Sequence, residues 1–538
     1  MFYAVAPEGE RGGVLRALSR DGRPAGEPEP VPDLAAAVAE RERRSAPRWV
    51  WASTARIYPR LLRAGVRVAR CHDLELTEAL LLAFDGRPGE SRSVPAALAR
   101  LRGLPPPEES HEEEGEQQSL FGGAVEPLIE AVTQVYGAQA ARLEGRLRLL
   151  AAAESAGGLI AAEMSHEGLP WRADVHDELL TGLLGPRPSP GLRPRLLQDL
   201  ADRIAAAFGH PVNPDSPQQL VKAFAGAGFP VASTRAYVLK GVAHPAVPLV
   251  LEYKEFARLH TAHGWSWLDT WAKGGRFRPE YVVGGVVSGR WATRGGGALQ
   301  IPKVLRRAVV ADPGHVLIVA DAAQLEPRVL AALAGDAAFA EAAAQGDLYA
   351  ALAEVFSDTP GGPSARDKAK IAMLSAMYGG GTGEAVQLLT VLKQRFPAAF
   401  EYVESAARAG ERGEMVRSLL GRTCPPASAE YRDLITTEAG RAAAASRGRF
   451  TRNFVVQATA AEWALAFMAL LRPRLPGGAH LVFFQHDEVI VHAPEGEAEA
   501  VTRALHAAAA EAARLLFGST SVVFPMEAAT VPCYADAK

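Results

Sequence analysis

Hydrophobic and polar positions change period several times along the chain, and each change predicts an element. Residues 49–84 (WVWASTARIYPRLLRAGVRVARCHDLELTEALLLAF) alternate short apolar runs with Ala/Leu/Arg stretches of helical period. That pattern predicts strand, helix, strand, helix. Residues 124–165 carry a helical pattern. NPDSPQQL (213–220) joins a turn to a helix start, ahead of amphipathic helices reaching about residue 275. After 280, YVVGGVVSGRWATRGGGALQIPK is strand-like and rich in glycine. VLIVADAAQLEPRVLAAL (316–333) predicts a buried strand that turns helical after Asp321, and residues 336–420 read as wholly helical. HLVFFQHDEVIVHAP (480–494) predicts an apolar strand pair with a polar tip at Gln485–Glu488. The closing SVVFPMEAATVPCYADAK predicts another strand. The fold class is multi-domain α/β (α+β).

The chain has 538 residues, enough for three or four domains at roughly 150 residues each. With 48% hydrophobic and 22% charged residues it can bury a large core, which excludes a wholly disordered or collagen-like chain. A net charge of −3 excludes a uniformly basic coat but leaves local basic grooves open. Three distant cysteines (Cys71, Cys424, Cys533) give neither a disulfide framework nor a zinc site, which fits a reducing cytoplasm. No signal peptide is evident, and no apolar run reaches the 18 residues of a membrane span. Residues 104–123 hold six glutamates within 108–116, and little in them can be buried. They predict a flexible acidic linker.

Asp321 ends an apolar strand, and Asp487 and Glu488 sit at the turn of another strand pair. A carboxylate in such a place is expensive to bury unless it is paired or holds a metal. Two carboxylates from separate strands can hold Mg²⁺ by oxygen ligation, the arrangement of two-metal phosphoryl transfer. Taken singly, each reads as readily as a strand-end cap for the next helix. Arg366, Lys370, Leu374 and Tyr378 recur every fourth residue in RDKAKIAMLSAMYGG and so share one helix face. Two cations followed by apolar and aromatic groups suit a nucleoside triphosphate, with Gly379–Gly381 as a hinge. A solvated basic stripe running into a core aromatic would give the same pattern. Residues 290–307 carry five Arg/Lys and no acid, either a phosphate-contacting strip or an ordinary basic face.

In their order, these three features resemble the motifs of family A DNA polymerases. VADAAQLEPRVLA resembles motif A, RDKAKIAMLSAMYGG motif B, the fingers helix, and FFQHDEVIV motif C. SGRWATRGGGALQIP, NFVVQATAAE, GLIAAEMSHEGLPWRADV and NPDSPQQL are similar to flanking segments of the same family. The resemblance is continuous from about 155 to 538. The whole layout is similar to actinobacterial bifunctional 3′–5′ exonuclease/DNA polymerase proteins.

The resemblance implies a right-hand polymerase preceded by an RNase H-like exonuclease-type domain. Its division would be 1–103 exonuclease-like, 104–123 linker, 124–154 helical end of the first domain, and 155–279 thumb and entry helices. Then would follow 280–335 palm, 336–424 fingers and 425–538 palm again. Asp321 and Asp487 would ligate two Mg²⁺ ions (or Mn²⁺), with Glu488 and Lys370 also catalytic. Arg366, Lys370, Leu374, Tyr378, Glu326, Gln324 and Tyr349 would bind the incoming dNTP, Glu326 as a steric gate against a ribose 2′-OH. Arg290, Gln300, Arg449, Asn453, Gln457 and His486 would line primer–template DNA. The implied enzyme is a monomeric, cytoplasmic, nucleoid-associated DNA polymerase of repair or replication gap filling. A polymerase-like DNA-binding scaffold without synthesis is the alternative.

The chain departs from the family at Leu374 (usually Phe or Tyr), Tyr349 (usually His), Asp367 (often basic) and Ala322–Ala323 (usually Tyr-Ser). At the N-terminus, FYAVA lacks the Asp-x-Glu that begins proofreading exonuclease sites. A degenerate domain is therefore expected, the alternative being a retained exonuclease using Glu8, Glu10 and Asp73. Gln117-Gln118-Ser119-Leu120-Phe121 resembles the bacterial sliding-clamp pentapeptide. Gln117, Ser119, Leu120 and Phe121 would be its contacts with a clamp partner. These residues could equally begin the next folded segment.

Overall fold

The computed structural model describes residues 1–107, 127–344, 347–354, 356–358, 364–379, 389–390 and 393–537. The pentapeptide 117–121, most of the predicted linker and Gly380–Gly381 lie outside the described residues.

The chain divides into two units. One comprises residues 1–166, 281–292 and 320–528, the other 167–280, 293–319 and 529–538. The first unit opens with a five-stranded sheet: β1 (Phe2–Glu8), β2 (Gly12–Leu18), β3 (Glu29–Val31), β4 (Arg48–Trp51) and β5 (Arg70–Asp73). The spatial order is β3-β2-β1-β4-β5, with β1–β2–β3 antiparallel and β1–β4–β5 parallel. Its two faces bury separate clusters. Val5, Trp49, Trp51 and Tyr58 belong to one, and Ala4, Val50, Val132 and Tyr136 to the other. Alternate residues of one strand thus serve opposite faces, as strand pleating requires. The strand–helix–strand–helix reading of 49–84 agrees with β4, Thr54–Arg63, β5 and Leu74–Phe84. Helix Gly145–Glu167 then runs unbroken through residues 154 and 155.

A second sheet has four strands in the order His480–Gln485, Glu488–Pro494, His315–Ala322, Met526–Val531. The helix Arg441–Leu471, which packs against helices Pro397–Glu411 and Ala498–Phe517, is nearly all buried in its second half. The segment Glu438–Arg474 is long and apolar enough to cross a membrane, contrary to the expectation from apolar runs. However, 83% of its apolar window is buried in the fold, which accounts for its composition. The second unit is mainly helical. Its core gathers Leu200, Ile204, Leu220, Phe224, Val250 and Tyr253 from helices Arg195–Phe208, Pro217–Gly226 and Ala246–His263.

Two expectations are corrected. The strand-like segment 281–303 forms only a two-residue ladder between Tyr281–Val282 and Ala292–Thr293. Its glycines at 284, 289, 295, 296 and 297 take positive φ and turn the chain where Val and Trp would otherwise extend it. Residues 336–420 are not wholly helical: helix Pro397–Glu411 ends, and a tight turn bridges Arg417 and Thr423.

Candidate active site

The strand that carries Asp321 neighbours the strand that begins at Glu488, and the strand that leads up to Asp487 lies one place further out in the second sheet. The Ala322 N–H donates to the Asp487 carbonyl at 3.0 Å, which ties the residue after Asp321 to Asp487 itself. Glu488 begins the next strand and is buried. Two non-glycine residues beside these acids hold left-handed backbone, Gln324 (φ 55°) and His486 (φ 59°). Strain of this kind persists only where the surroundings over-determine it, and it clusters at functional sites. Among the described residues no group of three or more His, Cys, Asp or Glu gathers. A two-carboxylate donor set of hard oxygens still fits Mg²⁺, which is commonly held by one or two carboxylates together with substrate phosphates.

Helix Ala365–Tyr378 presents its predicted face. Arg366 and Lys370 are exposed, Leu374 and Tyr378 half-buried, whereas Ala369, Ala372, Met373 and Met377 pack into the core. The helix is N-capped by Ser364, whose Oγ accepts the Asp367 N–H at 3.1 Å and donates to the Asp367 carboxylate at 2.8 Å. Asp367 thus braces the capping hydroxyl and stands in the first turn, where the helix dipole favours an acid, which accounts for it in a basic neighbourhood. At its other end Gly379 (φ 63°) lies against the long helix, where an added Cβ would come within 2.9 Å of Arg449 Cγ.

Two polar networks meet these residues. In the first, Glu326 accepts from both Arg290 and the Tyr378 hydroxyl, Gln457 also faces that hydroxyl, and His486 faces Arg290 and Glu326. Burial, then the Glu326 hydrogen bond, pushes the Tyr378 phenol well above its ordinary value. In the second, Asp347 caps its own short helix and accepts from Arg366 Nε (2.7 Å) and Gln324 Nε2 (2.7 Å). Burial opposes ionisation of Asp347, but those bonds outweigh it and hold the carboxyl below its ordinary range. Tyr349 is buried, its phenol pushed up to about 12 by burial, and the Arg366 guanidinium lies 5.9 Å from its ring centroid. Its contribution here is thus a ring beneath a cation.

Arg449, Asn453 and Gln457 form a stripe on the long helix, less buried than their neighbours Phe454, Val455 and Val456. The Asn453 Oδ1 is buried without a hydrogen-bond partner among the described residues. Gln300 falls in the second unit, exposed, on the wall of a cavity of about 450 Å³ with Phe256, Leu259 and His263.

Sequence reasoning missed Asp347 and Arg328. Asp347 carried a helix-start signal, but its partners lie far away in sequence. Arg328 is fully buried and binds the carbonyls of Ala323 (3.0 Å), Ala343 (2.5 Å) and Val523 (2.9 Å), besides reaching Gln324. Arg328→Met leaves these carbonyls without their donor. It is expected to lower unfolding stability by about 3 kcal/mol or more, read as a lower midpoint in denaturant melts.

The N-terminal acids behave otherwise. Glu8 and Glu10 are exposed at the β1–β2 turn. Asp73 is 2% exposed, and its two oxygens accept the backbone N–H groups of Thr54 (2.6 Å) and Leu76 (2.9 Å). Burial pushes its carboxyl up to about 6.

The chain is 29% identical over 344 residues to the thermostable DNA polymerase I of Thermus thermophilus, covering 57% of this chain and 40% of that protein. It is 28% identical over 465 residues to the Thermus aquaticus enzyme of the same description, covering 79% and 52%. It thus spans about half, or less, of the length of these curated relatives. Its fold matches the POL domain of Pol1 from M. smegmatis, solved in complex with DNA primer-template and dNTP. The TM-score is 0.73 at 19% identity, over 99% of this chain and 95% of that one. The family profile described as DNA polymerase family A matches residues 194–531, and the chain belongs to that family.

Proposed function

We propose that the chain is a template-directed DNA polymerase that adds dNTPs to a primer 3′-hydroxyl, in repair or replication gap filling. The observation that carries this reading is the bond from the Ala322 N–H to the Asp487 carbonyl, which ties the residue after Asp321 to Asp487, with Arg366 linked through Asp347 to Gln324 of the same segment. Divalent cations, two Mg²⁺ ions in this proposal, would be held by Asp321 and Asp487 and would supply electrostatic stabilisation of the entering and leaving oxygens. Arg366 binds the triphosphate, and Lys370 neutralises charge as the α-phosphate is attacked and pyrophosphate leaves. Glu326, fixed by Arg290 and Tyr378, faces the nucleotide sugar. Arg290, Gln300, Arg449, Asn453, Gln457 and His486 contact the duplex. Minor-groove acceptors occur on every base pair, so such donors test pair geometry without reading sequence. Docking to a sliding clamp through residues 117–121 belongs to the same proposal.

Proofreading is absent in this reading. Its chemistry needs several carboxylates around metal ions, whereas Asp73 is engaged by two backbone donors and Glu8 and Glu10 face solvent. A 5′-labelled primer–template with Mg²⁺ tests both statements. With dNTPs the primer should lengthen; without dNTPs it should keep its length. No extension in Mg²⁺ or Mn²⁺ would leave a DNA-binding scaffold, and shortening without dNTPs would restore the exonuclease.

A further inference from the structure

Glu154 and Arg422 form an ion pair deep in the first unit, with side chains 2% and 8% exposed. Neither belongs to the polar networks around Glu326 and Asp347. Arg422 sits in the tight turn that follows helix Pro397–Glu411, and that turn is itself pinned. The Arg422 N–H donates to Ser418 Oγ (2.8 Å), and the Ser418 hydroxyl donates to Glu462 of the long helix. The second oxygen of Glu462 accepts the Leu420 N–H at 3.0 Å. Glu154 lies on helix Gly145–Glu167, which is pinned as well. The next residue, Ser155, accepts the Asp73 N–H at 3.0 Å. Gly157 faces Leu465, Val283 and Trp291, and Gly158 faces Thr54 and Leu76.

The pair meets the 284–290 turn near both ends. A Cβ on Gly284 (φ 61°) would stand 3.3 Å from Glu154 Oε2, and one on Gly289 (φ 82°) would overlap the Arg422 guanidinium. The turn between them is closed by Gly289 N–H to Val286 O (2.7 Å) and Val286 N–H to Arg290 O (3.1 Å). The residue after Gly289 is Arg290, which holds Glu326. Both positions favour glycine for their positive φ, and at Gly289 a side chain would also displace the Arg422 guanidinium, whereas at Gly284 it would only crowd the Glu154 carboxylate.

We propose that Glu154 and Arg422 are positioning residues for sugar discrimination: the buried pair fixes Gly284 and Gly289, and the turn between them aims Arg290 at Glu326. The inference rests on the reading of Glu326 as the group facing the nucleotide sugar. It also gives the N-terminal domain a role that needs no carboxylate chemistry, because the helix bearing Glu154 is bonded to the sheet at Ser155 and packs at Gly158 against the starts of the two helices that follow β4 and β5.

The test is single-nucleotide insertion by the full chain, with kcat/KM measured for a dNTP and for the matching rNTP. Glu154→Gln keeps the size of its group and Arg422→Lys the charge of its own, and each weakens the pair. Both are expected to lower the dNTP-over-rNTP ratio about tenfold. Glu163→Gln is the control. It breaks another buried pair of the same helix, to Arg472 beside Tyr58, which makes no contact with the turn. It should lower the melting temperature and leave the ratio unchanged. Unchanged ratios in Glu154→Gln and Arg422→Lys overturn the inference, as does an equal loss in Glu163→Gln, which would mark a general effect of destabilisation. If the wild type extends no primer, the polymerase reading falls and takes this inference with it. Extension with unaltered ratios removes the positioning role alone.

Discussion

Asp487→Ala is expected to lower the rate of single-nucleotide incorporation by at least ~10³-fold while primer–template affinity holds or tightens. Asp487 follows His486, whose positive φ turns the chain, and its carbonyl is bonded to the N–H next to Asp321. The backbone of this tip is therefore set by the ladder and survives loss of the carboxylate. In the proposed reading the variant removes one of the two carboxylates that would hold the cations and leaves the fold that carries it. The stripe Arg449/Asn453/Gln457, proposed to face DNA, sits on a different element, the long helix, so in that reading duplex binding does not depend on Asp487. Losing a negative charge near a polyanion can only favour the complex. Rapid-quench incorporation beside an anisotropy titration with labelled primer–template separates the two quantities. A rate within tenfold of wild type would mean that Asp487 holds no essential cation. Asp321→Ala should give the same pattern for the same reason.

How much of this was legible beforehand follows from the range of the interactions concerned. Asp321 stood out because it ends a run of apolar residues and Asp487 because it sits in the polar turn between two such runs, both local signals. That Ala322 and Asp487 would be bonded neighbours required the sheet order, which no local window carries. The face Arg366/Lys370/Leu374/Tyr378 was readable because helical period is local. Its link to Asp347 was not, since Asp347 signals only its own helix cap. Arg328 looks like any surface arginine until the carbonyls of Ala343 and Val523 converge on it. The segment 281–303 was misread because Val, Trp and Thr favour strands while left-handed glycines decide the path. Asp73 shows the converse. Its sequence position suggested chemistry, and the structure gives it two backbone donors.

Lys370→Ala and Arg366→Ala should fail in different ways, although the two residues lie one turn apart on the same face. Arg366 is already oriented: Asp347 accepts from its Nε, and Tyr349 lies beneath its guanidinium. A preorganised cation binds phosphate oxygens in the ground state and the transition state alike, so its loss should raise KM more than it lowers kcat. Lys370 is exposed and makes no hydrogen bond or ion pair with any described residue. Its ammonium is a compact, mobile charge, able to follow the negative charge that develops on the leaving phosphates. Its loss should therefore lower kcat, by ~10²–10³-fold, with KM for the dNTP within a few-fold of wild type. Asp347→Asn is the discriminating companion. It removes the charge that orients Arg366 without touching Lys370, and it should reproduce the KM defect of Arg366→Ala in weaker form. Steady-state and single-turnover insertion of one dNTP across these three variants checks the assignment. Matching kcat losses in Arg366→Ala and Lys370→Ala, with KM unmoved in both, would show that the two cations act as one unit and that Asp347 orients neither.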